Sequence, residues 1–197
     1  MKKFSLFLVL GIFVVALFSS CAKQPTQAID AAKAAIEAAT KEGATVYAAD
    51  ELKKLNDDLQ AAMDEVSTQS KKFFKKFGTA KEMLAKVQTD ADALKATIPA
   101  KIEAAKNAAI QAQTEALAAL DEAKALLEKA PMGKGTKADI MAMKADLGGL
   151  ETSYAEIQAA IDGADFFGAS AKAATIKEKA TVISDQVKAA IEKVKGR

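Results

Sequence analysis

The chain has 197 residues, 45 of them alanine, with nine phenylalanines, two tyrosines and no tryptophan. That length suits one ordinary domain or two small ones, but alanine buries little area per residue, so no thick core is expected. The formal charge of +2 comes from Lys2 and Lys3; without them 26 basic residues face 26 acidic ones, which leaves no basic excess for a nucleic-acid footprint. The absence of histidine and the single cysteine exclude zinc and copper sites of the usual kind and histidine-based nucleophilic triads.

Lys2 and Lys3 precede "FSLFLVLGIFVVALF", residues 4–18, a largely apolar run of fifteen. It is shorter than the roughly twenty residues of a transmembrane helix and fits the h-region of a signal peptide. Two small residues, Ser19 and Ser20, then lead to Cys21. This order resembles a bacterial lipoprotein signal. The resemblance implies removal of residues 1–20, a diacylglyceryl group on the Cys21 sulfur and a further acyl chain, such as palmitate, on the new amine. Phe18 stands where leucine is usual in the lipobox, so the box is of a looser type. Two chains give stable attachment where one is marginal. Ala22 follows the cysteine, with no aspartate there to act as an inner-membrane retention signal. The localisation implied is the periplasmic face of the outer membrane.

Residues 21–27 read as a lipidated tether with Pro25, and Thr26 as an N-cap. Ile29, Ala32, Ile36 and Ala39 mark one face of a helix over 28–42 that Gly43 ends. From Leu52 through Leu59, Val66, Phe73, Phe77, Leu84, Leu94 and Ile98 the apolar positions hold a phase close to 3.5 residues. That phase predicts one nearly continuous helix over 48–98 and a coiled-coil-like seam. Pro99 breaks or kinks it, and helix resumes over 100–129. "APMGKGTKAD", residues 130–139, is a turn in which Thr136 and Asp139 match a capping pattern. Helices over 137–162 and 166–195 follow, separated at Gly163. No window alternates as a strand would. The expected fold is all-α: an elongated antiparallel bundle of about five helices, with no β-sheet and a single domain over 28–197.

There is an internal echo between residues 36–55 and 157–176. In each, a helix ends at glycine, an aromatic follows (Tyr47 or Phe167), and small residues open the next helix. Two similar hairpins are expected there.

A few segments invite a chemical reading. In "SKKFFKKF", residues 70–77, Lys71, Lys72, Phe74, Lys75 and Lys76 form a candidate surface contact for anionic lipid or a polyanion. The plainer expectation places Phe73 and Phe77 in the seam, with the lysines solvated above them. "GKGT", residues 133–136, lacks the earlier glycine and the strand of a phosphate loop. Gly148 and Gly149 lie inside a predicted helix, where close approach of a neighbouring helix is the expected reason and a hinge the alternative. Acid pairs such as Asp57 with Asp58 are too scattered for a calcium loop. Carboxylate-only catalysis would need a walled cleft, which thin alanine seams rarely build. The chain reads as non-enzymatic, with no cofactor or metal implied.

From Cys21 to about Val66 the chain resembles the small alanine-rich bacterial lipoproteins that carry an uncharacterised helical domain. The likeness rests on Pro25, Ile29, Ala32, Ile36, Gly43-Ala44, Tyr47-Ala48, Glu51-Leu52, Leu55 and Leu59. It implies a place in the cell envelope and transfers no activity. The expected function is a lipid-anchored spacer, scaffold or partner-binding module, contacting an envelope protein or itself. The alternative is a periplasmic carrier that holds a lipid or other apolar ligand between its helices.

Overall fold

The computed structural model describes residues 23–133 and 135–195. Cys21 and the segment before it, to which the signal, cleavage and lipidation expectations belong, lie outside the described residues. The protein is all-α. Five long helices follow one another: α1 (Thr26–Ala39), α2 (Ala49–Ser70), α3 (Gly78–Glu128), α4 (Lys137–Asp162) and α5 (Phe166–Lys195). The described residues contain no strand. The chain divides into two compact units, one ending at Lys101 and the other beginning at Ile102. The stretch 28–197, read from the sequence as a single domain, spans both units. The boundary falls inside α3, where unbroken helical patterning hides it from the sequence.

In the first unit, α1, α2 and α3 as far as Lys101 each bury a narrow stripe. Ala32, Ala35, Ile36 and Ala39 face inward from α1, and Leu55, Leu59, Ala62 and Val66 from α2. Ala80, Leu84, Val87, Ala91, Leu94 and Ile98 do so from α3, at alternating spacings of four and three. Burying each large aliphatic side chain contributes roughly 1.5–3 kcal/mol, whereas the alanines mainly let the helices approach closely. Contacts at the helix ends set the directions. Gln24 Nε2 donates to Ser70 Oγ at 2.7 Å, joining the start of α1 to the end of α2. The Lys101 ammonium pairs with Glu51, joining the start of α2 to the last turn of this part of α3. Neighbours in sequence are therefore antiparallel. Between α1 and α2 the chain passes through a widened π-helical turn, Thr40–Ala44. Gly43 adopts φ +109° there, and a Cβ would sit 3.3 Å from the Tyr47 ring. That conformation strains any residue with a side chain.

The second unit repeats the plan with α3 from Ile102, α4 and α5. Its core comprises Ala109, Ala116, Leu120, Ala123 and Leu127 of α3, Ile140, Leu147, Leu150 and Ile157 of α4, and an alanine-isoleucine stripe of α5 from Ala169 to Val187. Ion pairs at solvent-exposed positions stitch the helices: Lys124 to Glu151 at 3.0 Å, Lys177 to Glu115 at 2.8 Å and Lys188 to Glu122 at 2.8 Å. Between α4 and α5 the left-handed conformation falls on Ala164, φ +59°, one residue after Gly163. The Asp165 carboxylate then accepts from the Gly168 N–H at 2.9 Å and caps α5.

The helix expected over 48–98 is interrupted, and Pro99 does not interrupt anything. The chain leaves helix after Ser70 and re-enters at Gly78. A continued helix would set Lys71 against Lys75 and Lys72 against Lys76 at i,i+4, where like charges repel. Pro99, by contrast, lies inside α3. Its missing N–H and ring cost about 3 kcal/mol. The buried Leu94 and Ile98 on the preceding turn contribute a comparable or larger amount, so the helix continues. Two caps also differ. Pro25, not Thr26, precedes the first helical residue. Thr136 stands at the N-cap of α4 without capping it, because its hydroxyl donates to the Pro131 carbonyl at 2.7 Å.

Candidate functional site

Residues 71–77 connect α2 to α3 without helical structure. The loop is anchored at one end by Ser70, whose hydroxyl donates to the Val66 carbonyl at 2.7 Å. At the other end Phe77 is 2 % exposed, and its carbonyl accepts from the Lys81 N–H at 2.9 Å. Between these anchors every side chain faces solvent. Phe73 is 93 % exposed and Phe74 78 %. Their rings meet edge to face, with centroids 5.0 Å apart and planes at 85°. The expectation that Phe73 shares a seam with Phe77 is thus corrected: only Phe77 is core. Helical phase placed the two together, and the chain is not helical there.

Lys71, Lys72, Lys75 and Lys76 flank the ring pair and are all exposed. Among the described residues none of the four is paired with a carboxylate. Sequence reasoning singled out these lysines and Phe74, and the structure brings them together in one loop. It missed their neighbours. Gln24 is bonded to Ser70, and Pro25 is buried, so the first described residues are pinned beside the loop. Lys23, Gln24, Pro25, Thr26 and Lys81 border one hollow of about 550 Å³. Residues 23–29 and 66–81, which meet at this end of the first unit, contain six lysines and no carboxylate. The charge pattern of each stretch was visible in the sequence, but a separation of 46 residues concealed their meeting.

A second concavity lies in the second unit. A groove of about 640 Å³ between α4 and α5 is bordered by Asp146, Gly149, Leu150, Glu178, Val182 and Ile183. Its walls mix charge with apolar surface. The two glycines of α4 have open space where a Cβ would stand. Close approach of a neighbouring helix, the expected reason for Gly148 and Gly149, is therefore corrected. Among the described residues no cluster of three or more metal-binding side chains occurs. No helix there is long and apolar enough to cross a membrane.

Compared with protein-family models, with curated proteins and with solved structures, the chain gives no significant match.

Proposed function

We propose that the chain is a lipid-anchored protein of the bacterial cell envelope, held through Cys21 at the periplasmic face of the outer membrane. In this reading it is non-enzymatic and serves as a spacer, scaffold or partner-binding module. The anchor rests on the order of Lys2, Lys3, the apolar run, Ser19, Ser20 and Cys21. The observation that carries the rest is the short connection between that cysteine and folded structure. Gln24, three residues on, is already hydrogen-bonded to Ser70, and Pro25 is already buried. Whatever holds Cys21 holds the first helical unit directly, as a scaffold requires.

Fatty-acid labelling in cells, together with crosslinking of the tagged chain beside its Cys21→Ser variant, tests this. Label on Cys21 and a defined set of crosslinked envelope proteins, lost in the variant, is the expected result. An unlabelled Cys21 would remove the anchor from the reading. A carrier is the second reading, favoured by the groove between α4 and α5. Capture of the chain alone, with lipid or another apolar molecule in its native mass spectrum, would replace the scaffold by the carrier.

A further inference from the structure

We infer that the loop at residues 71–77 is a second membrane contact, in which Phe73 and Phe74 insert among the headgroups of an anionic phospholipid surface and the surrounding lysines engage the phosphates. The inference rests on the anchored reading above, which supplies the surface. Three independent observations carry it.

First, the two most exposed large apolar side chains described are adjacent and lie on a non-helical loop. Nothing in the described structure covers them. Phenylalanine is among the side chains by which interfacial segments bury apolar area at the headgroup–acyl boundary. Second, the loop itself carries charge of one sign, with Asp30, Glu65 and Glu82 bounding the stretches that meet there. Lys23, Lys71, Lys72, Lys75, Lys76 and Lys81 stand in stretches with no acid, in a chain that is neutral once Lys2 and Lys3 are set aside. Basic side chains near an anionic leaflet are attracted within a Debye length, and each adds to the binding. Third, the loop is beside the attachment point. Gln24 is the third residue after Cys21, so their α-carbons are no more than about 11 Å apart, and Gln24 is bonded to the residue that precedes Lys71.

Two rings and a few lysines make a weak membrane ligand by themselves. A short tether changes that by raising the effective concentration of the surface into the millimolar range or above. The loop then fixes which end of the first unit faces the bilayer. A protein partner would also accept an aromatic pair, but the nearness of the loop to Cys21 favours the bilayer itself as the occupant.

The chain from Cys21 onward contains every described residue and no second cysteine. Its thiol can therefore be coupled to a maleimide-bearing lipid in vesicles, which imposes the anchor chemically. A Phe74→Trp variant then carries the only tryptophan in the chain. Val46→Trp is the control: Val46 is exposed just before α2, whose 22 residues span about 33 Å at 1.5 Å per residue. Circular dichroism checks that both remain folded. On vesicles of phosphatidylcholine and phosphatidylglycerol, tryptophan at 74 should emit to the blue. Its quenching by brominated acyl chains should be several-fold stronger than at 46. Replacing Lys71, Lys72, Lys75 and Lys76 with glutamine, or omitting phosphatidylglycerol, should remove most of that difference. Equal quenching at 74 and 46 overturns the contact. Equal quenching at 74 with and without phosphatidylglycerol overturns the anionic assignment. Because the coupling is chemical, neither failure can be mistaken for an unlipidated Cys21, which the labelling in cells reads separately.

Discussion

Gly148 and Gly149 of α4 show what one residue can and cannot reveal. The penalty of glycine inside a helix, roughly 1 kcal/mol relative to alanine, is legible in any sequence. What the residue faces is not, and here a methyl group would meet open space at both positions. Gly148→Ala and Gly149→Ala should each stabilise the second unit by about 1 kcal/mol in urea denaturation. A loss of stability at either would point to a hinge. Ser184 of α5 presents the converse case. It is 2 % exposed and its hydroxyl finds no partner among the described residues, so its desolvation is uncompensated. Ser184→Ala should raise stability by about 1 kcal/mol, measured in the same way. No pattern in the sequence marks this serine, because helical phase assigns its position to the core without saying what surrounds the oxygen.

At the scale of elements, α-helical character was readable almost throughout, and the loop at 71–77 was not. The reason is arithmetic. Seven residues of loop are close to two helical turns, so the apolar phase from Val66 through Phe77 to Leu84 survives a stretch that contains no helix. Periodicity cannot detect an interruption of one heptad. Crowding of like charges can, and Lys71 with Lys75 and Lys72 with Lys76 were the available signal. Pro99 misleads in the other direction, because propensity alone ignores the buried neighbours that hold α3 together. The two ends of the loop should respond very differently to truncation. Phe77→Ala removes a ring that is 2 % exposed and should cost about 3–5 kcal/mol. Phe73→Ala removes one that is 93 % exposed and should change stability by no more than about 0.5 kcal/mol. Chemical denaturation of the two variants side by side checks both.

For the molecule as a whole, the ion pairs lie at the surface, and no histidine is present. Hydrogen bonds from lysines hold Glu51, Glu115 and Glu156 below the usual carboxylate range. Their contribution is present above the unfolded value and is lost as the pH falls through the folded one. Hydrogen bonds to carboxylates raise Lys53, Lys54, Lys124 and Lys188. That contribution is present below the unfolded value and is lost as the pH climbs through the folded one. The helical units contain no histidine and no cysteine, the side chains whose ordinary values lie between these limits. The thermal midpoint should therefore be flat from about pH 6 to about pH 9 and fall on either side. A slope within that window, in melts followed by circular dichroism, would contradict this account. The division at Lys101 and Ile102 was the least legible property, since neither composition nor phase changes there.

The loop that carries Phe73 and Phe74 also has a consequence for the lifetime of the chain. Proteases need several residues of extended backbone, and helices deny it to them. In the first unit the non-helical run from Lys71 to Phe77 offers that backbone, with four lysines to receive trypsin. Limited digestion of the unattached protein should nick the first unit there before any helix is cut. The same protein coupled to anionic vesicles should resist at those bonds while cleavage elsewhere proceeds unchanged. Attachment would then decide how long a copy survives as well as where it resides, and strays that failed to reach the membrane would be the first to be cleared.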